Sequence, residues 1–333
     1  MNNDMLLARG EDNGLNLAIG EPAFLELFLN KFYPFPINSF PTKYPASSGT
    51  KALRESFCEY LYEYIGIETS PDCVVVTNGA KQALSAGTAA LLKEYQFSSF
   101  LHRSPYWLSY PTIAHQANLP FGYSEKSLIV NTSPNNPDGT TLDTDCHIWD
   151  AAYAADVYGF EKGEFPSFDV SVFSAAKLFA IGGARLGFAT SYGVHVNNIA
   201  QYVESTTSGV SAASQEFVLG LLKNIKKNQV QYEESIGAAK HYLAKNTSYI
   251  DIIEPAISRK WGSLEEGGKG MFGLIEVEDP DKFDLALTKS GVKMVPGSAC
   301  GLTTPGTYRI NMGARAESLY EAFTALETAY ESL

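Results

Sequence analysis

Ser171-Val172-Phe173-Ser174-Ala175-Ala176-Lys177-Leu178-Phe179-Ala180-Ile181-Gly182-Gly183-Ala184-Arg185-Leu186-Gly187 is the stretch on which the reading of this chain turns. A β-like apolar run ends in a serine, and a lysine follows three residues later. A glycine pair then leads to an arginine, eight residues past the lysine. A lysine among apolar neighbours is expensive to keep charged, so its amine is pushed toward the neutral, nucleophilic form. A hydroxyl and a guanidinium close by suit a bound phosphate. Together they describe a lysine that forms a Schiff base with a phosphorylated aldehyde, and pyridoxal 5′-phosphate answers to that description.

On either side of this stretch, short apolar strands alternate with helices. Val74-Val75-Val76-Thr77 is a buried strand, Asn78-Gly79 breaks it, and residues 80–95 read as a helix. Residues 97–101, 128–131, 146–149, 170–173 and 186–190 are further strands, with a helix over 107–116. Residues 50–66 show helical periodicity, with Leu53, Phe57, Tyr60 and Leu61 on one face. This interleaving predicts a largely parallel sheet covered on both faces. Helices dominate from 212 to 245, while 271–277 and 307–312 look like strands of a smaller α+β unit that ends in a helix over 316–332.

At 333 residues the chain exceeds one ordinary core, so two domains are expected. A net charge of -12 argues against nucleic acid and against anionic membrane surfaces as partners. Cys58, Cys73, Cys146 and Cys300 are widely spaced with no CxxC, which reads as reduced thiols in a cytoplasmic protein and offers no metal-ligand spacing. Met1-Asn2-Asn3-Asp4 lacks the basic and apolar regions of a signal peptide.

Several segments carry chemistry suited to the same cofactor. Val74 to Gln82 is a strand, a glycine turn and a helix start, whose free N–H groups suit a phosphate. Ser104-Pro105-Tyr106-Trp107-Leu108-Ser109-Tyr110 offers flat rings for stacking. Asn131-Thr132-Ser133-Pro134-Asn135-Asn136-Pro137-Asp138-Gly139 follows a strand, so it lies at the carboxyl end of the sheet, where open α/β folds bind ligands. In Trp149-Asp150-Ala151-Ala152-Tyr153 an aspartate closes an apolar strand and needs a partner if buried; a protonated pyridine nitrogen is such a partner. Tyr308-Arg309-Ile310-Asn311-Met312 places an arginine on an otherwise uncharged strand, which argues against a plain surface arginine, with Arg315 nearby as its rival.

In this order the segments resemble the signature of fold-type I pyridoxal-phosphate enzymes, the aminotransferase class I/II family, over about residues 16–315. The resemblance implies a three-layer α/β fold of the pyridoxal-phosphate-dependent transferase type, a mainly parallel sheet between helices with a smaller α+β domain. Residues 42–215 would form the large cofactor-binding domain, and 1–41 with 216–333 the small one. Lys177 would be the Schiff-base lysine. Gly79, Ala80, Lys81, Ser174 and Arg185 would hold the cofactor phosphate. Trp107 would stack on the ring, with Tyr106 as the rival. Asn136 and Tyr153 would reach the ring hydroxyl, and Asp150 the ring nitrogen. Arg309 would grip the substrate α-carboxylate, and Gly20, in Leu17-Ala18-Ile19-Gly20-Glu21-Pro22, would lie close to the substrate. Tyr44, in Tyr44-Pro45-Ala46-Ser47-Ser48-Gly49, resembles the tyrosine that reaches the phosphate of the other subunit, which implies a homodimer.

One feature departs from the common pattern. Only 14 positions separate Asn136 from Asp150, which leaves no room for the helix most of the class place there. This compactness, with the wording Thr132-Ser133-Pro134-Asn135-Asn136-Pro137-Asp138-Gly139, resembles the alliinase and plant tryptophan-aminotransferase branch, which holds a C–S lyase and transaminases. The expected function is therefore amino-group transfer between an L-amino acid and a 2-oxo acid. A β-eliminating C–S lyase is the alternative, and a catalytically silent binding protein a more distant one.

Overall fold

The periodicity over 50–66 produces the helix Lys51–Tyr60, which continues as a π-helical turn over Leu61–Ile65 and stops at Gly66 with φ +91°. Leu53, Phe57, Tyr60 and Leu61 are all buried, and the ring of Phe57 stacks on Phe188 with centroids 3.6 Å apart. Burial of side chains of this size is worth about 1.5–3 kcal/mol each, so packing against the sheet holds this helix more than propensity does. The computed structural model describes residues 15–34, 43–141 and 144–333. The expected domain boundary at 41/42 and the reading of Met1-Asn2-Asn3-Asp4 lie outside the described residues.

The apolar runs form one six-stranded sheet: β1 (Val74–Thr77), β2 (Ser99–Leu101), β3 (Ser127–Thr132), β4 (Cys146–Asp150), β5 (Phe168–Ser174) and β6 (Gly187–Ser191), in the order β1-β6-β5-β4-β3-β2. β2 to β5 pair in parallel, and β6 is antiparallel to both β5 and β1. Five strands thus run one way and one runs against them, the mainly parallel sheet that the alternation predicts. The carboxyl ends of β1, β3, β4 and β5 share one edge, and β6 starts there. Every chemistry-bearing segment between 77 and 187 follows or closes a strand at that edge.

A second, antiparallel sheet contains β7 (Ile257–Gly262), β8 (Phe272–Val277), β9 (Val295–Pro296) and β10 (Thr307–Asn311), in the order β7-β8-β10-β9. Arg309 sits mid-strand in β10, opposite Leu274 on one side and Val295 on the other. The N-terminal segment packs with this sheet: Leu17 N–H donates to the carbonyl of Lys293 at 3.0 Å, and Asn311 N–H to the carbonyl of Leu17 at 2.9 Å.

Some elements differ from the sequence reading. The helix expected over 107–116 begins at Tyr110, with Pro111 in its first turn, where a missing N–H costs nothing. Four helices, Ala23–Leu29, Ala175–Leu178, Val194–Thr207 and Pro280–Ser290, carry no periodicity read in the sequence, and neither do β7 and β9. Between Asn136 and Asp150 the described residues form a loop and β4, without a helix.

Candidate active site

The carboxyl edge of the large sheet and the N-terminal segment enclose a cavity of about 910 Å³. Gly20, Gly79, Ala80, Lys81, Trp107, Asn136, Asp150, Tyr153, Ser174, Lys177, Arg185 and Arg309 all line it. Thirteen candidate residues came from the sequence, and twelve of them meet in one space. Tyr44 is the exception: it is 91% exposed and does not line the cavity of its own chain.

One end of the cavity is built for an anion. The helix Gly79–Glu94 begins directly after β1, and Gly79 holds φ +74°, a backbone state that glycine adopts without penalty. A Cβ on Gly79 would lie 3.0 Å from Nη2 of Arg185, so the glycine also admits the guanidinium. Ser174 closes β5 and pairs in register with Gly187. Gly187 itself was missed by the sequence reading. A Cβ there would stand 2.6 Å from the carbonyl carbon of Gly79 and 2.8 Å from the nitrogen of Ala80. Only a glycine lets β6 pass this close beneath the helix start. Arg185 (φ +49°) and Ala180 (φ +56°) both hold left-handed backbone and both line the cavity. Non-glycine residues in that region cost free energy and cluster at functional sites.

Trp107 lines the cavity, whereas Tyr106 turns away to pack edge-on against Phe121, with centroids 4.7 Å apart. Of the two, Trp107 is the one that borders this space. The ammonium of Lys81 sits 5.3 Å from the centre of the Trp107 ring system.

Asp150, at the end of β4, is 3% exposed. Burial pushes its carboxyl from the ordinary 3.8 up to about 6, against the pull of two donors. Tyr110 donates its hydroxyl to Oδ2 at 2.7 Å, and Ala152 donates N–H to Oδ1 at 3.1 Å. Asn136 links two other predicted residues. Its Nδ2 donates to the Tyr153 hydroxyl at 3.4 Å, and its Oδ1 accepts from Nη1 of Arg309 at 2.9 Å.

Arg309 is 3% exposed and lies over the Phe272 ring at 4.5 Å. Its Nη2 donates to the carbonyl of Ala18 at 2.7 Å, and its Nε has no hydrogen-bond partner among the described residues. Burial pulls this guanidinium below its ordinary value, while Cys300 and Tyr153 act in the opposite direction. Arg315 does not line the cavity and pairs with Glu26 at 3.1 Å on the surface.

The Lys177 ammonium donates to the carbonyl of Gly20, and the Tyr158 hydroxyl donates to the carbonyl of Lys177 at 2.8 Å. Asn311 donates through Nδ2 to the carbonyls of Ile19, at 2.8 Å, and Glu21, at 2.9 Å. Arg309, Asn311 and Lys177 therefore hold the backbone of Ala18 to Glu21 across the cavity. These partners are about 160 to 290 positions apart in sequence, so no local signal could have shown the contacts.

The residues fit pyridoxal phosphate. A helix start flanked by Ser174 and Arg185 suits its phosphate, Lys177 its aldehyde, and the buried carboxyl of Asp150 a protonated ring nitrogen. A positive partner would offset the desolvation that raises Asp150.

The model of the allinase family matches residues 60–249, more than half of the chain. In sequence, the chain is 27% identical to a probable aspartate/prephenate aminotransferase of Aquifex aeolicus, covering 98% of this chain and 93% of that protein. It is 26% identical to an aspartate aminotransferase of Thermotoga maritima, covering 97% and 92%. In fold, it is similar to the aspartate aminotransferase from Thermus thermophilus with maleate (TM-score 0.76, 20% identity, 98% and 95% covered). It is also similar to the aromatic aminotransferase from Pyrococcus horikoshii (TM-score 0.75, 20% identity, 99% and 98% covered). The fold, the enclosed cofactor chemistry and a family match over most of the large sheet agree, and the chain belongs to the allinase family, within the class I/II aminotransferase fold of pyridoxal-phosphate-dependent enzymes.

Proposed function

We propose that this protein is a pyridoxal-phosphate-dependent aminotransferase that moves an amino group between an L-amino acid and a 2-oxo acid. The observation that carries the reading is the meeting of Lys177, Asp150 and Arg309 in one cavity. Those three groups suffice for a proton transfer beside a bound carboxylate, and no further group dedicated to expelling sulfur is needed. The relatives named above are aminotransferases along nearly the whole chain, which favours transfer over the C–S lyase alternative.

Pyridoxal phosphate, when bound, supplies an aldehyde to take up the amino group and a ring that withdraws the electrons left at the α-carbon. The N–H groups of Gly79 and Ala80, with Ser174 and Arg185, bind its phosphate; Lys81 stands beside them over Trp107. Trp107 covers one ring face, Asn136 and Tyr153 serve the ring hydroxyl, and Asp150 keeps a proton on the ring nitrogen. Arg309 binds the substrate α-carboxylate through a charge-assisted pair, and the backbone at Gly20 borders the same space. Lys177 Nζ takes the proton from the substrate α-carbon and returns one on the cofactor side. The segment Ala18 to Glu21 covers the mouth and excludes water.

The working unit of this reading is a homodimer in the cytoplasm, in which Tyr44 serves the partner subunit. Tyr44 is exposed and does not line the cavity of its own chain, which supports that part. No helix of the described residues is long and apolar enough to cross a membrane, and the four cysteines are free thiols.

The test is a half-reaction. With an amino donor and no 2-oxo acid, the absorbance of the aldehyde form should disappear in one equivalent and return when a 2-oxo acid is added. Continuous release of pyruvate and ammonia from cysteine conjugates without any acceptor would instead establish the lyase.

A further inference from the structure

Asp150 does not stand alone. It is bonded to a chain of buried groups that the sequence reading left without a role: Tyr110, Thr132 and His102, at 0%, 1% and 4% exposure. Thr132 is the register partner of Asp150 across β3 and β4, so its side chain shares that end of the sheet. The Tyr110 hydroxyl lies 2.7 Å from Asp150 Oδ2 and 2.6 Å from Thr132 Oγ1. A phenol has one proton to give. A carboxylate is the stronger acceptor, so that proton goes to Asp150, and Thr132 must be the donor to the phenol oxygen. A donor into that oxygen polarises the O–H and strengthens the bond to Asp150.

Thr132 is fixed in turn. Its N–H donates to Nε2 of His102 at 3.3 Å, and Nδ1 of His102 lies 2.6 Å from the carbonyl of Arg103. With Nε2 accepting, Nδ1 carries the proton, so the imidazole is neutral and held in one tautomer. Burial agrees, pushing His102 down to about 4. The same ring stacks on Tyr110, with centroids 5.0 Å apart and planes 23° from parallel. Tyr110 also packs edge-on against Trp107 at 5.5 Å and donates its N–H to the carbonyl of Trp107 at 3.0 Å. One tyrosine therefore holds both the residue assigned to the ring face and the residue assigned to the ring nitrogen.

We propose that Tyr110, driven by Thr132 and backed by His102, is a positioning residue that keeps Asp150 ionised, so that this relay sets where the proton between Asp150 and the cofactor's ring nitrogen resides. The proposal rests on the assignment of Asp150 to that nitrogen. Without the relay the proton moves from the ring nitrogen to Oδ2 of Asp150; no other atom changes hands. Tyr110, from the helix at 110–116, touches Asp150, and the titratable side chains that line the same cavity are Glu21, Glu26, Lys81, Tyr153, Lys177, Arg185 and Arg309. Of these, Tyr110 donates its hydroxyl directly to the carboxylate.

The experiment uses the full chain loaded with pyridoxal phosphate labelled with nitrogen-15 in the ring, whose NMR shift reports the proton directly. Tyr110→Phe removes one oxygen and keeps the ring contacts. It should move the nitrogen signal toward neutral pyridine and weaken cofactor retention roughly tenfold, the loss of one charge-assisted bond. It should also lower kcat while leaving KM for the donor nearly unchanged, because Arg309 is untouched. Thr132→Val should act in the same direction and more weakly. A Tyr110→Phe protein with a wild-type nitrogen signal overturns the proposal, whatever its melting temperature. If that variant does not fold, an unchanged signal in Thr132→Val overturns it instead. Asp150→Ala separates the two levels: a wild-type signal there would mean that the assignment of Asp150, and not the relay, has failed.

Discussion

Replacing Asp150 by asparagine in the cofactor-free protein should reverse one part of its pH-dependent stability. The native carboxyl sits at about 6, against 3.8 for an ordinary one, because burial disfavours its charge. Between those values the folded protein binds the proton more tightly than the unfolded chain. The resulting stabilisation is complete below 3.8 and is lost as pH rises through about 6. At about 1.4 kcal/mol per pH unit, that interval is worth about 3 kcal/mol. Asparagine fits the same place without titrating. Its oxygen can accept from Ala152 N–H, and its amide can donate to Tyr110, whose proton then turns to Thr132. All other titrations are common to both proteins, so the difference between their urea-unfolding free energies isolates this group. That difference should shift by about 2 kcal/mol in favour of the variant between about pH 4 and about pH 7, most of the full interval. A difference that stays flat across the range would refute the claim that Asp150 is held in a dry, cation-seeking site. The loaded variant should also lose most turnover, since a neutral amide no longer holds the ring-nitrogen proton; such electrostatic losses run to several kcal/mol in the transition state.

Other perturbations address other parts of the site. Arg309→Leu should raise KM for the amino donor roughly 10- to 150-fold, the worth of a charge-assisted bond, with the cofactor absorbance intact; an unchanged KM would remove Arg309 from substrate binding. Gly187→Ala forces a Cβ to within 2.6 Å of the Gly79 backbone, so cofactor retention measured by ultrafiltration should fall while donor specificity is kept. Mixing inactive Tyr44→Ala and Lys177→Ala proteins should restore part of the activity through hybrid dimers, and a fully active monomer in sedimentation would rule out the shared site.

The site was legible to the extent that its residues follow strand ends. Gly79, Asn136, Asp150 and Ser174 each stand within a few residues of an apolar run, and a parallel sheet brings such positions to one edge. Contacts made at long range were not legible. Nothing near Ala18 announces Arg309, and nothing near Tyr110 announces Asp150, because a side chain's partner across 40 or 291 positions leaves no period in the sequence. The helix Val194–Thr207 escaped for another reason. Its sequence, VHVNNIAQYVESTT, is rich in β-branched and polar residues with weak helix propensity, and packing of Ile199 and Val203 into the core overrides that preference. β7 escaped because Ser258 and Arg259 are exposed and Lys260 is only half-buried, so it lacks the apolar run that marked the central strands.

The most direct test of the account is to locate the covalent partner of the cofactor. The protein is loaded with pyridoxal phosphate, reduced with borohydride, digested, and the labelled peptide sequenced by mass spectrometry. The account predicts one phosphopyridoxyl group per chain, on Lys177, and none in Lys177→Ala. Stoichiometric label on Lys81 or any other lysine, with Lys177 unmodified, would contradict it.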